Sequence, residues 1–171
     1  MSCIVYQACK MTGRDKHEQV QRAQFVSEVG TKYGLKVISP VLEENIEDDP
    51  GKLVNHDKEK LYEFWRRDKA IIRYEAHVVL LDHAEMKSFG MEREYCLARG
   101  VLWKPVVLVL KEGTALSVSQ FEDDAVFYSI HAAMAFINKM WGTRTKRIVW
   151  RINMLRRSFP RWIWDQMWQW R

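Results

Sequence analysis

Four short apolar segments, separated by longer stretches with helical periodicity, constrain this chain more than any other feature of its sequence. The segments are rich in Val, Ile and Leu and lack a strict alternation of polar and apolar residues, which is typical of parallel strands covered on both faces. They are residues 3–8, 35–39, 77–82 and 105–110, with a weaker fifth candidate at residues 125–129. We therefore predict a mostly parallel sheet of about five strands.

Helices are predicted between these strands at residues 15–33, 56–74, 90–99 and 130–141. Gly34, Gly100 and Gly142 follow three of these stretches and are typical signals for a helix end. An alternation of strands and helices favours right-handed crossovers and a flavodoxin-like, doubly wound α/β fold. In such folds ligands bind beyond the carboxyl ends of the strands, so the loops that follow the strands are candidates for a site.

The composition is that of a globular chain in which 47% of the 171 residues are hydrophobic and 29% are charged. No apolar run approaches the roughly 18 residues of a membrane-spanning helix. The three cysteines are widely spaced, without a metal-like pairing, and no basic and apolar leader precedes the first strand. We therefore expect no metal site, no secretory signal, and a cytoplasmic location.

Positive charge is concentrated at one end of the chain. Of the net charge of +5, residues 143–171 contribute +7 and residues 1–142 contribute −2. Five tryptophans interleave with the basic residues of this end. We predict an α/β domain over residues 1–142 and a basic, Trp-rich, partly helical extension over residues 143–171. The extension suits docking on the domain or on a second subunit, which we favour, but also single-stranded nucleic acid or an anionic membrane surface.

A candidate anion-binding turn follows the first strand. The loop reads ACKMTGRDK and leads into a helix N-terminus, where free backbone N–H groups and the helix dipole attract anions. Its residues Lys10, Thr12, Gly13 and Arg14 suit a ribose hydroxyl or a phosphate. An ordinary turn with solvated charges is the simpler interpretation of the loop when it is taken alone, and the spacing of a P-loop is absent.

Two glutamates that follow the third predicted strand are candidates for a site at the carboxyl ends of the strands. Glu92 and Glu94 are two residues apart on a predicted helix and therefore face different sides. Glu94 shares its side with Ala98 and Val101, on the face expected to turn toward the sheet. An inward carboxylate is costly to bury without a purpose, which favours Glu94. The alternative that both acids only interact favourably with the helix dipole stays open.

Four stretches of residues 1–110 match, in order and spacing, the motifs of one enzyme family. They read IVYQACKMTGR, KVISP, WRRDKAIIRYEAHVVLLD and SFGMEREYCLARG. The last is similar to the signature S-x-G-x-x-x-E-x-small-x-A, with matches at Ser88, Gly90, Glu94, Cys96 and Ala98. On these motifs the chain resembles the nucleoside 2-deoxyribosyltransferase family, including its relatives the 2'-deoxynucleoside 5'-monophosphate N-glycosidases.

The chain departs from the family pattern at several positions. Cys9 and Lys10 replace the usual Gly-Pro or Gly-Ser of the first loop, and His77 stands in place of an aspartate. A second register of the last motif would make Glu92 the family glutamate, but it places Glu94 where the family prefers glycine. Glu94 is therefore the first choice and Glu92 the second.

The resemblance implies an enzyme that cleaves or transfers the N-glycosidic bond of a 2'-deoxynucleoside or its 5'-monophosphate, without a cofactor and as a homo-oligomer. It implies that Glu94 attacks the anomeric carbon, that Tyr6 holds this carboxylate by a hydrogen bond, and that Asp68 contacts the base and helps to protonate the leaving nitrogen. The substrate contacts expected are Ala8, Lys10, Thr12, Gly13, Arg14, Asp82, Ser88 and Gly90.

Two other functions stay open on the sequence. One is a nucleotide-binding or nucleic-acid-binding protein that keeps the fold without turnover and is recruited through its basic extension. The other is a glycohydrolase of a dinucleotide such as NAD, which could use a similar glutamate. Lys10 and Arg14, which are basic where the first loop meets the 5' end of the sugar, favour a monophosphate over a nucleoside.

Overall fold

The structure of the protein is a computed structural model that describes residues 2–9, 15–43, 58–83, 89–114 and 125–158. Within these ranges, five strands form one sheet in the order β2-β1-β3-β4-β5, and every neighbouring pair is parallel. The strands are β1 (Cys3–Cys9), β2 (Leu35–Ile38), β3 (Val78–Asp82), β4 (Val106–Val109) and β5 (Ala125–Phe127). The predicted flavodoxin-like fold is confirmed, and its strand order places the topological switch point between β1 and β3.

Apart from the short α2, which was not predicted, the helices lie close to the predicted positions. They are α1 (Lys16–Lys32), α2 (Pro40–Glu43), α3 (Lys58–Ala70), α4 (Phe89–Tyr95), α5 (Ile130–Trp141) and α6 (Arg144–Ser158). Asp15 caps α1, because its side chain accepts the backbone N–H of Glu18 at 3.1 Å. Gly34 follows this helix with a φ of +70°, a conformation that glycine adopts without strain.

Two of the predicted helices continue into a π-helical turn. Ile71–Glu75 extends α3 and Cys96–Val101 extends α4, each with a backbone hydrogen bond that spans five residues. Gly100 therefore lies inside the second turn and does not end the helix, contrary to the prediction. Because the wider turn changes which side faces the sheet, Val101 is 69% exposed rather than inward.

The two faces of the sheet pack against different helices. Cys3, Val5 and Val78 belong to a buried cluster that includes side chains of α1 and α5. Tyr6 and Ala8 face the other side, with the side chains of the two π-helical turns and of α4. The alternation of β1 thus directs the Tyr6 side chain toward the helix that carries Glu94.

The described part of the predicted extension, α6, packs against α5. The rings of Trp141 and Trp150 meet edge to face with centroids 6.1 Å apart, and the Arg147 guanidinium donates to the Trp141 carbonyl at 3.0 Å. Ile148 and Ile152 of this helix are 48% and 41% exposed. Residues 159–171 lie outside the described ranges, so the division into two units stays a prediction. No helix among the described residues is long and apolar enough to span a membrane.

Candidate active site

A hydrogen bond between Tyr6 and Glu94 forms the centre of the candidate site. The Tyr6 hydroxyl donates to Glu94 Oε1 at 2.7 Å and so joins β1 to α4. Tyr6 is fully buried and Glu94 is 8% exposed. Within the described residues, the hydrogen bond from Tyr6 engages Oε1, and no hydrogen bond to Oε2 is found. Among these residues, the pair therefore leaves one carboxyl oxygen without a donor.

Glu94, and not Glu92, reaches the sheet because the two residues lie on different sides of α4. Met91 and Ala98, three residues before and four after Glu94, are both buried, so Glu94 lies on the inward stripe of the helix. Glu92 and Gly90 are exposed. The hydrogen bond expected from the resemblance is present with Glu94, whereas the catalytic role of either glutamate stays a prediction.

Asp68 lies on α3 within electrostatic reach of the Tyr6–Glu94 pair. Its carboxylate raises the pKa of both partners, in each case as a smaller effect than burial. The Arg67 guanidinium donates to Asp68 Oδ1 from NH2 at 2.9 Å and from Nε at 3.2 Å, and the Asp68 side chain is 14% exposed. The Arg93 guanidinium stacks over the Trp65 ring at 4.2 Å and so holds α4 against α3.

Burial raises the pKa of Glu94 from its ordinary value of 4.5 to about 8. The hydrogen bond from Tyr6 favours the ionised form and lowers this pKa, whereas the negative charge of Asp68 raises it. Burial, followed by the charge of Glu94, also raises the pKa of Tyr6 well above its usual range, so the hydroxyl keeps its proton. Glu94 is thus a carboxyl group that titrates near neutral pH, which is typical of catalytic acids, bases and nucleophiles.

Asp82 is engaged by the protein itself at the end of β3. It is fully buried, and it accepts hydrogen bonds from Gln7 Nε2 at 2.9 Å and from Arg22 Nε and NH2 at 3.0 and 2.9 Å. These contacts tie β3 to β1 and to α1, and they do not support the predicted contact with a substrate. The sequence analysis missed Arg22, since its partner is 60 residues away and no motif connects the two.

The remaining predicted contacts are only partly within the described ranges. Ala8 is fully buried on the same face of β1 as Tyr6. Lys10, Thr12, Gly13, Arg14 and Ser88 lie outside the described residues. In the ranges that the structure describes, no group of three His, Cys, Asp or Glu side chains is arranged to hold a metal ion. The absence of a cofactor stays a prediction.

Comparison with known proteins identifies the fold. No family model and no curated protein sequence matches the chain. Among solved structures, the chain is similar to a 2-deoxyribosyltransferase from the psychrotolerant bacterium Bacillus psychrosaccharolyticus, which serves as a biocatalyst for the synthesis of nucleosides. The likeness has a TM-score of 0.55 and 16% sequence identity, and it covers 77% of this chain and 90% of that one.

The raised pKa of Glu94 predicts a pH dependence of the free energy of unfolding. Between the ordinary value of 4.5 and about 8, the folded state binds a proton that the unfolded state has released, so stability falls as pH rises through this window. The slope contributed by one such group is at most about 1.4 kcal/mol per pH unit. Glu94→Gln should remove this contribution, as measured by urea unfolding from pH 5 to pH 9.

The exposed Glu92 provides the matched control. Glu92→Gln should leave the pH dependence of the wild type unchanged. An identical pH profile of stability in Glu94→Gln and wild-type protein would contradict the raised pKa.

Proposed function

We propose that this chain cleaves or transfers the N-glycosidic bond of a 2'-deoxynucleoside or its 5'-monophosphate, with Glu94 as the nucleophile. The observation that carries the proposal is the buried hydrogen bond of 2.7 Å from Tyr6 to Glu94, which joins α4 to β1, one of the two strands at the switch point of the sheet. The similarity in fold to a 2-deoxyribosyltransferase supports the same reaction class. Because fold alone does not determine function, the argument depends on the side chains.

The first step forms an ester between the enzyme and the sugar. Glu94, in its ionised form, attacks the anomeric carbon of the deoxyribose through Oε2 while Tyr6 holds Oε1 in place. The bond from that carbon to the base nitrogen breaks, and its electron pair leaves with the base. The positive charge that develops on the sugar ring in the transition state is stabilised by the adjacent carboxylate. Asp68, whose carboxylate is paired with Arg67, contacts the base and orients a water molecule that protonates the departing nitrogen.

The second step returns the enzyme to its starting state. The acceptor attacks the anomeric carbon, the ester bond to Glu94 breaks, and the electron pair returns to the carboxylate. A nitrogen of a second base as acceptor gives transfer, and water as acceptor gives hydrolysis. In both cases the proton that the acceptor loses passes to the hydroxide left by the water next to Asp68, which replaces the proton that the base took up in the first step.

The chain offers two basic residues for a phosphate at the 5' position of the sugar. Lys10 and Arg14 belong to the loop that follows β1, outside the described residues, and this loop leads into the N-terminus of α1. Basic side chains next to a helix N-terminus attract phosphate. A 5'-monophosphate is therefore the preferred form of the proposed substrate.

The direct test of the proposed function is the release of free base. Purified protein is incubated with the four deoxynucleosides and, separately, with their 5'-monophosphates, and the free bases are measured by chromatography. Wild-type protein should release base from at least one substrate. Glu94→Gln should lower the rate by more than about 1000-fold, the scale of nucleophile deletions in other enzymes.

Glu92→Gln is the matched control for this experiment, because it makes the same chemical change on the same helix at an exposed position. It should keep the rate within about threefold of the wild type, as is usual for surface changes far from the chemistry. No base release from any of the substrates, or an equal loss in the two variants, would contradict the proposal.

The pH profile of kcat/KM provides a second test, because Glu94 must be ionised to attack. The rate should rise with pH and level off above about 8, the pKa of this carboxyl group. Tyr6→Phe removes a hydrogen bond that favours the ionised form, so the rising limb should shift to higher pH. The rate at pH 7 should fall by about 10-fold to 100-fold, since hydrogen bonds to charged groups contribute about 1.5 to 3 kcal/mol.

The shift of the rising limb of the pH profile in Tyr6→Phe distinguishes two explanations of a lower rate. If the substitution only damaged the structure, the rate would fall at all pH values and the rising limb would stay at the same pH. A wild-type profile that is flat from pH 6 to pH 9, or a limb near pH 4.5, would contradict an ionising Glu94 with a raised pKa.

A further inference from the structure

A pocket of about 570 Å³ lies away from the Tyr6–Glu94 pair, at the edge of the sheet where β3 and β4 begin. Its walls come from the π-helical turn after α3, from the residues that precede β3 and β4, and from α6 with the end of α5. Tyr6, Asp68 and Glu94 are not among its lining residues. The volume falls within the range of about 300 to 1000 Å³ that is usual for small-molecule sites.

The lining of this pocket is strongly basic. It contains five cationic side chains and one acid, Glu75; the cations are Arg73, Lys104, Arg144, Arg147 and Arg151. Within the described residues, none of these five cations forms an ion pair. Five positive charges that line one space with a single acid among them repel one another, and a bound anion would relieve this repulsion.

Lys104 is the most deeply placed of these cations. It is only 6% exposed, and its Nζ donates to the carbonyl oxygens of Arg73 and Ala76. An ammonium group has three hydrogens, so one donor is left over for a ligand. Burial and then the positive charge of Arg151 lower the pKa of Lys104 to about 8, which is consistent with a positive potential in the pocket.

His77 adds a neutral donor to the lining, to which the residue Trp141 also belongs. His77 Nδ1 accepts the backbone N–H of Ile4 at 2.9 Å, which leaves the proton of the neutral ring on Nε2. Trp141 is 5% exposed, and its buried Nε1 has no hydrogen-bond partner within the described residues.

We propose that this pocket binds an organic phosphate of nucleotide size, at a site separate from the one that holds Glu94. Guanidinium groups match phosphate oxygens in geometry and charge better than any other side chain, and Arg144, Arg147 and Arg151 present three of them from one helix. The indole of Trp150 and the exposed ring of Tyr74 complete the wall and offer flat surfaces for a base.

The test is isothermal titration calorimetry of the full-length protein with two probes, ADP and inorganic pyrophosphate. Both should bind, with ADP at least threefold tighter because its base and ribose contact the aromatic wall. Arg151→Glu should weaken the binding of both probes by at least tenfold. It should leave base release unchanged, because Arg151 lines the pocket and Tyr6, Asp68 and Glu94 do not.

Lys146→Glu is the matched control, since Lys146 is an exposed residue of the same helix that does not line the pocket and undergoes the same change of charge. It should weaken binding by less than twofold. Circular dichroism and melting temperature establish that both variants are folded.

Three results would overturn the proposal. They are no binding of either probe at millimolar concentration, an equal loss of binding in Arg151→Glu and Lys146→Glu, and equal affinity for ADP and pyrophosphate. The first two would indicate a diffuse basic surface, and the third an inorganic rather than an organic phosphate. Because binding is measured by heat and not by turnover, failure to release base from any nucleoside would not affect this test.

Discussion

Glu94 keeps its carboxyl group inside the protein with one strong donor, the hydroxyl of Tyr6, and the proposed chemistry depends on this arrangement. Removing an ionised carboxylate from water is costly, and a single hydrogen bond offsets only part of that cost. The nearby Asp68 adds a like charge, so the balance favours the protonated form up to a pH of about 8. A group held in this way is poorly solvated once it ionises, and it is therefore reactive toward an electron-poor carbon.

The fold supplies this arrangement through two simple features. Side chains alternate between the two faces of β1, and Tyr6 lies on the face that packs against α4. Glu94 lies on the buried face of α4, which faces the sheet. Both α3, which carries Asp68, and α4, which carries Glu94, end in a π-helical turn before the next strand. Such turns are frequent near functional sites.

Much of the fold could be predicted from the sequence because its strongest signals are local. Buried parallel strands appear as continuous apolar runs, and Glu94 could be assigned to the inward face because Ala98 lies one helical turn away. The π-helical turns could not be predicted, since they differ from α-helix by one residue in the hydrogen-bond pattern and have no residue signature. Val101 was therefore assigned to the wrong side.

Contacts between distant residues were beyond the reach of local patterns. The three hydrogen bonds that Asp82 accepts come from side chains more than 50 residues away, and the basic pocket is assembled from three separate stretches of the chain. The sequence indicated a basic C-terminal segment, but only the packing of α6 on α5 shows that its arginines face a concave surface with Lys104 at its base.

The most direct test of the central claim is to trap the covalent intermediate. The protein is mixed with excess substrate in the absence of an acceptor base, quenched within milliseconds to seconds, and analysed by intact-mass and peptide mass spectrometry. The account predicts one deoxyribosyl group attached to the peptide that contains Glu94, and to that side chain. Attachment to a different residue, or turnover of substrate with no attached sugar at any time, would contradict it.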